Sequence, residues 1–273
     1  MIGTIALAQR IEAAESRLSL AVADGSLAAG VPDVFALRIN GGAAVYCGNG
    51  APMTKVIGVA IQAPLTDDHI DQVERAFAPT GCHPGWEIAT LADFASIRRL
   101  ERRGYSLQRI EMVLGREVGS LPLPPLPPGV EVVDGEPEEV LRISVEAFSA
   151  PETVDGRDAP AEHYDTAALE DAMRQYTRDP QIRHYVARLH GTPAGAASAR
   201  VDDGLYQMCG AGTRPAHRRH GVQTAMLTAR LADARRLGCD VALVCVEPGS
   251  RSQANVVRHG FLPLYSRLVM ARE

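Results

Sequence analysis

Positive charge, a glycine and the start of a helical pattern come together in Thr213-Arg214-Pro215-Ala216-His217-Arg218-Arg219-His220-Gly221-Val222-Gln223-Thr224. A strand is expected to end near Thr213 and a helix to open at Gly221. The turn between them then presents unpaired backbone N–H groups and the positive end of a helix dipole. Gly221 lets the main chain approach an anion closely, and Arg218 and Arg219 add charge-assisted donors. Thr224 supplies a hydroxyl in the first turn. His217 and His220 flank the arginines, either as phosphate contacts or as exposed residues. A pyrophosphate suits such a turn.

Several elements must hold this turn in place. A strand is expected over Leu205–Thr213, preceded by a hairpin that begins near Tyr185. The helix runs over Val222–Leu237, with Leu227, Leu231 and Ala234 at helical spacing and Gly238 as its stop. The continuously apolar Val241–Val246 is expected as a strand buried on both faces. Residues 150–165 have the composition of a long irregular loop, a common place for a substrate lid.

The same pattern occurs twice in the chain. Gly104 and Tyr105 correspond to Gly260 and Phe261, and Arg116 corresponds to Arg272 at the same offset. Trp86–Thr90 matches Ala242–Val246, FALRINGGAAVY resembles YVARLHGTPAGAA, and KVIGVAI corresponds to YQMCGAG. The proline-rich LPLPPLPPG at 121–129 is too stiff for a helix or a central strand. The expected division is therefore 1–120, a linker at 121–129, and 130–273. Where the second half has its basic turn, the first has APLTDDHIDQV. Thr66 there is a helix cap, and Asp67 and Asp68 complement the helix dipole while repelling a phosphate.

Arg218-x-x-Gly221-x-Gln223, with its strand, basic turn and helix, resembles the Q/R-x-x-G-x-G/A cofactor motif of the general N-acetyltransferase (GNAT) superfamily. The resemblance runs from about Val130 to the C-terminus, and the internal similarity extends it to the first half. It implies an α+β fold of two tandem GNAT-like domains, each a mixed, mostly antiparallel sheet flanked by helices, with a degenerate first half of structural or substrate-shaping role. It also implies acetyl-CoA or another acyl-CoA as cofactor. Acetyl transfer to a primary amine of a small molecule or peptide would follow, by direct attack in a ternary complex. The alternative is a catalytically silent acyl-CoA sensor that acts through a protein partner.

By the same resemblance, the backbone near Gly210–Thr213, including Gly212 and Thr213, would bind pantetheine. Arg218, Arg219, His220, Gly221, Val222, Gln223 and Thr224 would hold the phosphates. Ser252 and Asn255 fall where the family's second cofactor segment lies, and each serves equally as a helix cap or a surface residue. Glu247, at the end of the second splayed strand, is the candidate base or else a solvent-facing carboxylate. Glu146 lies in a helical stretch that often contacts substrate in this family, or else is a surface residue. Two positions depart from the pattern. Gln223 stands where Gly or Ala is usual, and Val256 stands where a proton-donating Tyr is common. Tyr265, Ser250, Ser252 or water would take the Tyr's place.

Composition narrows the classes. The 273 residues carry a net charge of −5, which gives no reason to expect nucleic acid or an anionic membrane as partner. Five Phe and one Trp offer little for stacking on bases. Cys47, Cys82, Cys209, Cys239 and Cys245 form no metal-ligand spacing, and an odd, unframed set fits reduced thiols in a cytoplasmic protein without a metal site.

Overall fold

The computed structural model describes residues 3–119, 122–150, 153–154, 157–158, 170–171, 173–174, 176 and 179–272. It divides into two compact units. One comprises Leu114–Leu262; the other comprises the chain up to Val113 together with the last segment from Pro263.

The N-terminal unit opens with α1 (Ile5–Ala28), which Thr4 caps by accepting a hydrogen bond from the Leu7 N–H. Ala8, Ile11, Ala14, Leu18 and Val22 recur at helical spacing and are buried. This face packs on β1 (Phe35–Ile39), β2 (Gly42–Tyr46) and β3 (Lys55–Ile57). α2 (Asp67–Phe77), β4 (Trp86–Ala89), α3 (Phe94–Arg102) and β5 (Ser106–Glu117) follow. A core of Ile70, Val73, Phe77, Trp86, Ile88, Leu100 and Tyr105 forms among them.

The C-terminal unit repeats the plan with β6 (Val130–Asp134), α4 (Pro137–Phe148), β9 (Ile182–Leu189), β10 (Thr192–Asp202), β11 (Leu205–Thr213), α5 (Val222–Arg236), β12 (Val241–Val246) and α6 (Arg251–Arg258). Two short strands, β7 (Thr153–Val154) and β8 (Arg157–Asp158), pair with each other. The rest of the expected 150–165 loop, apart from Ala150, lies outside the described residues. Strand order here is β12-β11-β10-β9-β6, with β11 and β12 parallel and the others antiparallel.

The duplication is visible in detail. The β1–β2 hairpin turns on Asn40 (φ 48°) and Gly41 (φ 79°), and the β9–β10 hairpin turns on His190 (φ 50°) and Gly191 (φ 82°). Two successive left-handed residues make the tight turn that matches strand twist. Each hairpin then leads to a parallel pair, β3 with β4 and β11 with β12.

The division into units does not follow the proline stretch. The final strand, β13 (Leu262–Ala271), pairs antiparallel with β4, Arg267 opposite Ala89 and Met270 opposite Trp86. Its backbone partners are thus in the N-terminal unit, although its sequence belongs to the second repeat. The other boundary falls within β5, whose neighbour Val118 donates to the Asp240 carbonyl in the C-terminal unit. Residues 122–129 lie in that unit, where the Pro127 carbonyl accepts from the Val130 N–H. No helix among the described residues is long and apolar enough to cross a membrane.

Candidate functional site

β11 and β12 form an opening between parallel strands. Their pairing runs from Leu205 opposite Val241 to Met208 opposite Val244 and stops there, while β11 continues to Thr213 and β12 to Val246. On its other side β11 stays paired with β10, through a bulge between Ala196 and Ser198 that accompanies the left-handed Gly210 (φ 55°). Burial of β12 is interrupted where the ladder ends. Val241, Ala242, Leu243 and Val246 are buried, Val244 is half-buried and Cys245 is exposed. The expectation that β12 is buried throughout therefore fails where its neighbour diverges. Gly212 fits against α4, where a Cβ would come within 2.6 Å of the Ala147 Cβ. Thr213 pairs with Gly195.

The basic turn lies beyond the end of β11. A short 3-10 turn over Pro215–His217 leads to Arg218, to Arg219 in a left-handed conformation (φ 68°), and to Gly221 (φ 78°), the residue on which α5 begins. No side chain caps this helix. The N–H groups of Val222, Gln223 and Thr224 therefore face outward at the positive end of the dipole, with Arg219 and His220 exposed beside them. The Arg218 Nη2 donates to the Ala147 and Ala150 carbonyls, each at 3.3 Å, and so ties the turn to the C-terminal end of α4. The His220 Nδ1 lies 2.8 Å from the Arg218 carbonyl. Arg214 pairs with Glu146 at 2.9 Å, which engages the carboxylate singled out in the sequence as a possible substrate contact.

The α6 residues divide. Asn255 Nδ2 donates to the Gln223 Oε1, which joins the two segments assigned to cofactor. Ser250 is the cap of α6, accepting from the Gln253 N–H at 3.0 Å, and Ser252 lies half-buried in its first turn. Val256 is buried, and its carbonyl accepts from the His259 and Phe261 N–H groups. Glu247 follows β12, half-buried, with its carbonyl accepting from the Ser250 N–H. Tyr265 lies on β13, in the N-terminal unit, where its buried hydroxyl donates to Glu12 at 2.6 Å. Burial and the Glu12 charge hold the phenol well above its usual range.

Sequence patterns gave no sign of what anchors α5. Asp233 accepts from Tyr185 (2.5 Å), Tyr206 (3.3 Å) and Arg183 (2.6 Å), which fastens the helix to β9 and β11. The buried Arg230 donates to the Met226 and Ser198 carbonyls. Burial works to raise the Asp233 pKa, but hydrogen bonds from Tyr185 and Arg236 and the Arg183 charge outweigh it and hold the carboxyl below its usual range. The stabilisation is complete above the unfolded carboxyl value, about 3.9, and is lost as pH falls through the lower folded value. Asp233→Asn is therefore expected to give a lower Tm at neutral pH and a shallower fall in Tm on acidification. Thermal melts of both proteins from neutral pH to below 4 measure this.

The equivalent turn of the first repeat is built differently. Thr66 caps α2 by accepting from the His69 N–H at 3.3 Å, and the His69 Nδ1 accepts from the Thr66 N–H at 3.1 Å. Asp67 in the first turn also pairs with Arg103 at 3.1 Å. That helix end is closed by its own side chains, whereas the end of α5 is open.

A family model described as Acetyltransferase (GNAT) family matches residues 142–261. No curated protein sequence matches the chain. A GCN5-related N-acetyltransferase from Kribbella flavida superposes with a TM-score of 0.64 at 18% identity, over 93% of this chain and 95% of that one. A tandem GNAT protein from the clavulanic acid biosynthesis pathway gives 0.61 at 15% identity, over 97% and 95%. A GCN5-related N-acetyltransferase from Sphaerobacter thermophilus gives 0.55 at 17% identity, over 75% and 66%. The open helix end, the parting parallel strands and the repeated plan thus coincide with these matches: residues 142–261 match the GNAT acetyltransferase family model, within a fold similar to that of a tandem GNAT protein.

Proposed function

We propose that the chain is an acyl-CoA-dependent N-acyltransferase with one cofactor site, at the start of α5. The observation that carries this is the uncapped N-terminus of α5 on the left-handed Gly221, at the end of a basic turn and next to the parting of β11 from β12. The residues fit the group. Main-chain N–H groups of Val222–Thr224 with Arg219 and His220 would take a pyrophosphate, and the edge of β11 over Gly210–Thr213 would take an extended amide-bearing arm as a third strand would. Arg218 braces the turn through α4, and the Gln223–Asn255 contact sets the far wall.

When bound, acetyl-CoA or a related acyl-CoA supplies an activated thioester. The protein positions an amine against it, orients the thioester carbonyl toward backbone donors beyond Met208, and removes a proton from the amine. An alkyl amine is mostly protonated at neutral pH, so a base or water chain is required. Glu247, at the rim of the parted strands, is the candidate. Glu247→Gln is expected to keep CoA affinity near wild type and to lower kcat on the order of 100-fold, most strongly at low pH, where neutral amine is scarcest. Steady-state kinetics across pH with a panel of small amines and peptides measures this, and an unchanged pH–rate profile would remove Glu247 from the role. Release of free CoA with those amines tests the activity itself.

A further inference from the structure

We propose that Cys209 and Cys245 are a dithiol modification site that closes the opening between β11 and β12 by forming a disulfide. This deepens the cofactor reading above and rests on it. The last parallel pair is Met208 opposite Val244, so Cys209 and Cys245 are the next residue on each strand, and both side chains point to the face opposite that pair. Neighbouring strands at the end of a ladder lie about 4.8 Å apart, and a disulfide spans Cα separations of roughly 4.4–6.8 Å. Cys209 and Cys245 stand one residue beyond the last pair, where the strands begin to part from that spacing.

Both thiols are reduced; Cys245 is exposed and Cys209 half-buried, so an oxidant reaches the pair. The Cys209 Sγ now contacts the Tyr176 hydroxyl and lies 3.6 Å from the Gln207 carbonyl. Rotation about χ1 is the movement that bonding requires. Cys239 is buried in the same unit, while Cys47 and Cys82 belong to the other unit.

The step balances with a hydroperoxide as oxidant. One thiolate attacks the peroxide oxygen, giving a sulfenic acid and an alcohol or water; the second thiol displaces the hydroxyl as water, and the S–S bond forms. Two thiols lose two electrons and the peroxide gains them. The product places two sulfurs in the opening and holds the strands at ladder spacing, where the CoA arm would pass.

The test uses the full chain treated with a modest excess of hydrogen peroxide. Non-reducing peptide mass spectrometry is expected to find Cys209 and Cys245 linked, with the loss of two hydrogens. Calorimetric CoA affinity should fall more than tenfold and recover with dithiothreitol. Cys245→Ser, at an exposed position, should bind CoA when reduced and lose both the link and the oxidative sensitivity; Cys82→Ser should retain both. No 209–245 link in a protein that binds CoA when reduced overturns the proposal, as does a link that leaves CoA affinity unchanged. A link in a protein that never binds CoA upholds the dithiol but refutes both the cofactor reading and the closure that depends on it.

Discussion

Gly221→Val is expected to lower CoA affinity at least 100-fold, about 2.7 kcal/mol or more, and to destabilise the C-terminal unit. Two effects combine. Gly221 sits at φ 78°, where an L residue costs roughly 1–2 kcal/mol and a β-branched one more. A Cβ there would also lie 2.7 Å from the Pro127 ring, an overlap of the kind that costs about 1–3 kcal/mol when neighbours must shift. Relief of either effect moves the main chain at Val222–Thr224, the groups assigned to phosphate. Gly221→Asn tolerates the left-handed conformation better and should fall between wild type and valine in both stability and affinity. Thermal melts and calorimetric titration of the three proteins measure the order. Wild-type affinity in the valine variant, with the fold intact, would remove the phosphate site from this turn.

Arg267→Ala is expected to cost about 3–5 kcal/mol of stability, although no role in the chemistry is assigned to Arg267. Its side chain is 2% exposed and its Nε donates to Glu12, 1% exposed, at 2.8 Å. Truncation leaves a buried carboxylate that still accepts from the Tyr265 hydroxyl at 2.6 Å but has lost the guanidinium that balances its charge. Replacing both members, Glu12→Leu with Arg267→Met, should recover part of the loss, because an apolar pair has no charge to desolvate. Urea unfolding of the single and double variants measures the difference. A cost below about 1 kcal/mol for Arg267→Ala would place the pair with exposed ion pairs.

Those residues also mark the limit of what the sequence discloses. β11, α5 and β12 were legible because a strand, a glycine and a helical repeat each have a local signature; the observed bounds Leu205–Thr213 and Val241–Val246 are those expected, and α5 ends one residue early, at Arg236. The exposure of Cys245 was not legible, because apolar composition records the strand and not where its neighbour departs. The placement of β13 was hidden for a related reason: composition marks a strand but not its neighbour, and only long-range pairing sets it beside β4. Tyr265 was read with the second repeat on that account, and its hydroxyl meets Glu12. Within the site, the Gly221 turn was evident from residue types. The hold of Arg218 on the Ala147 and Ala150 carbonyls, and of Asp233 on two tyrosines, depends on side chains brought together by folding, for which spacing along the chain gives no signal.

The central claim is that the open end of α5 is a CoA site and the closed end of α2 is not. Calorimetric titration of CoA into the wild-type chain and into the Asp67→Ala, Asp68→Ala double variant tests it most directly. One carboxylate facing a phosphate charge at about 4 Å costs on the order of 4 kcal/mol at an effective dielectric near 20, and removing both still leaves α2 capped by Thr66 and His69. The account predicts one CoA per chain, with the same affinity, in both proteins. Two CoA per chain, or no binding at all, would contradict it.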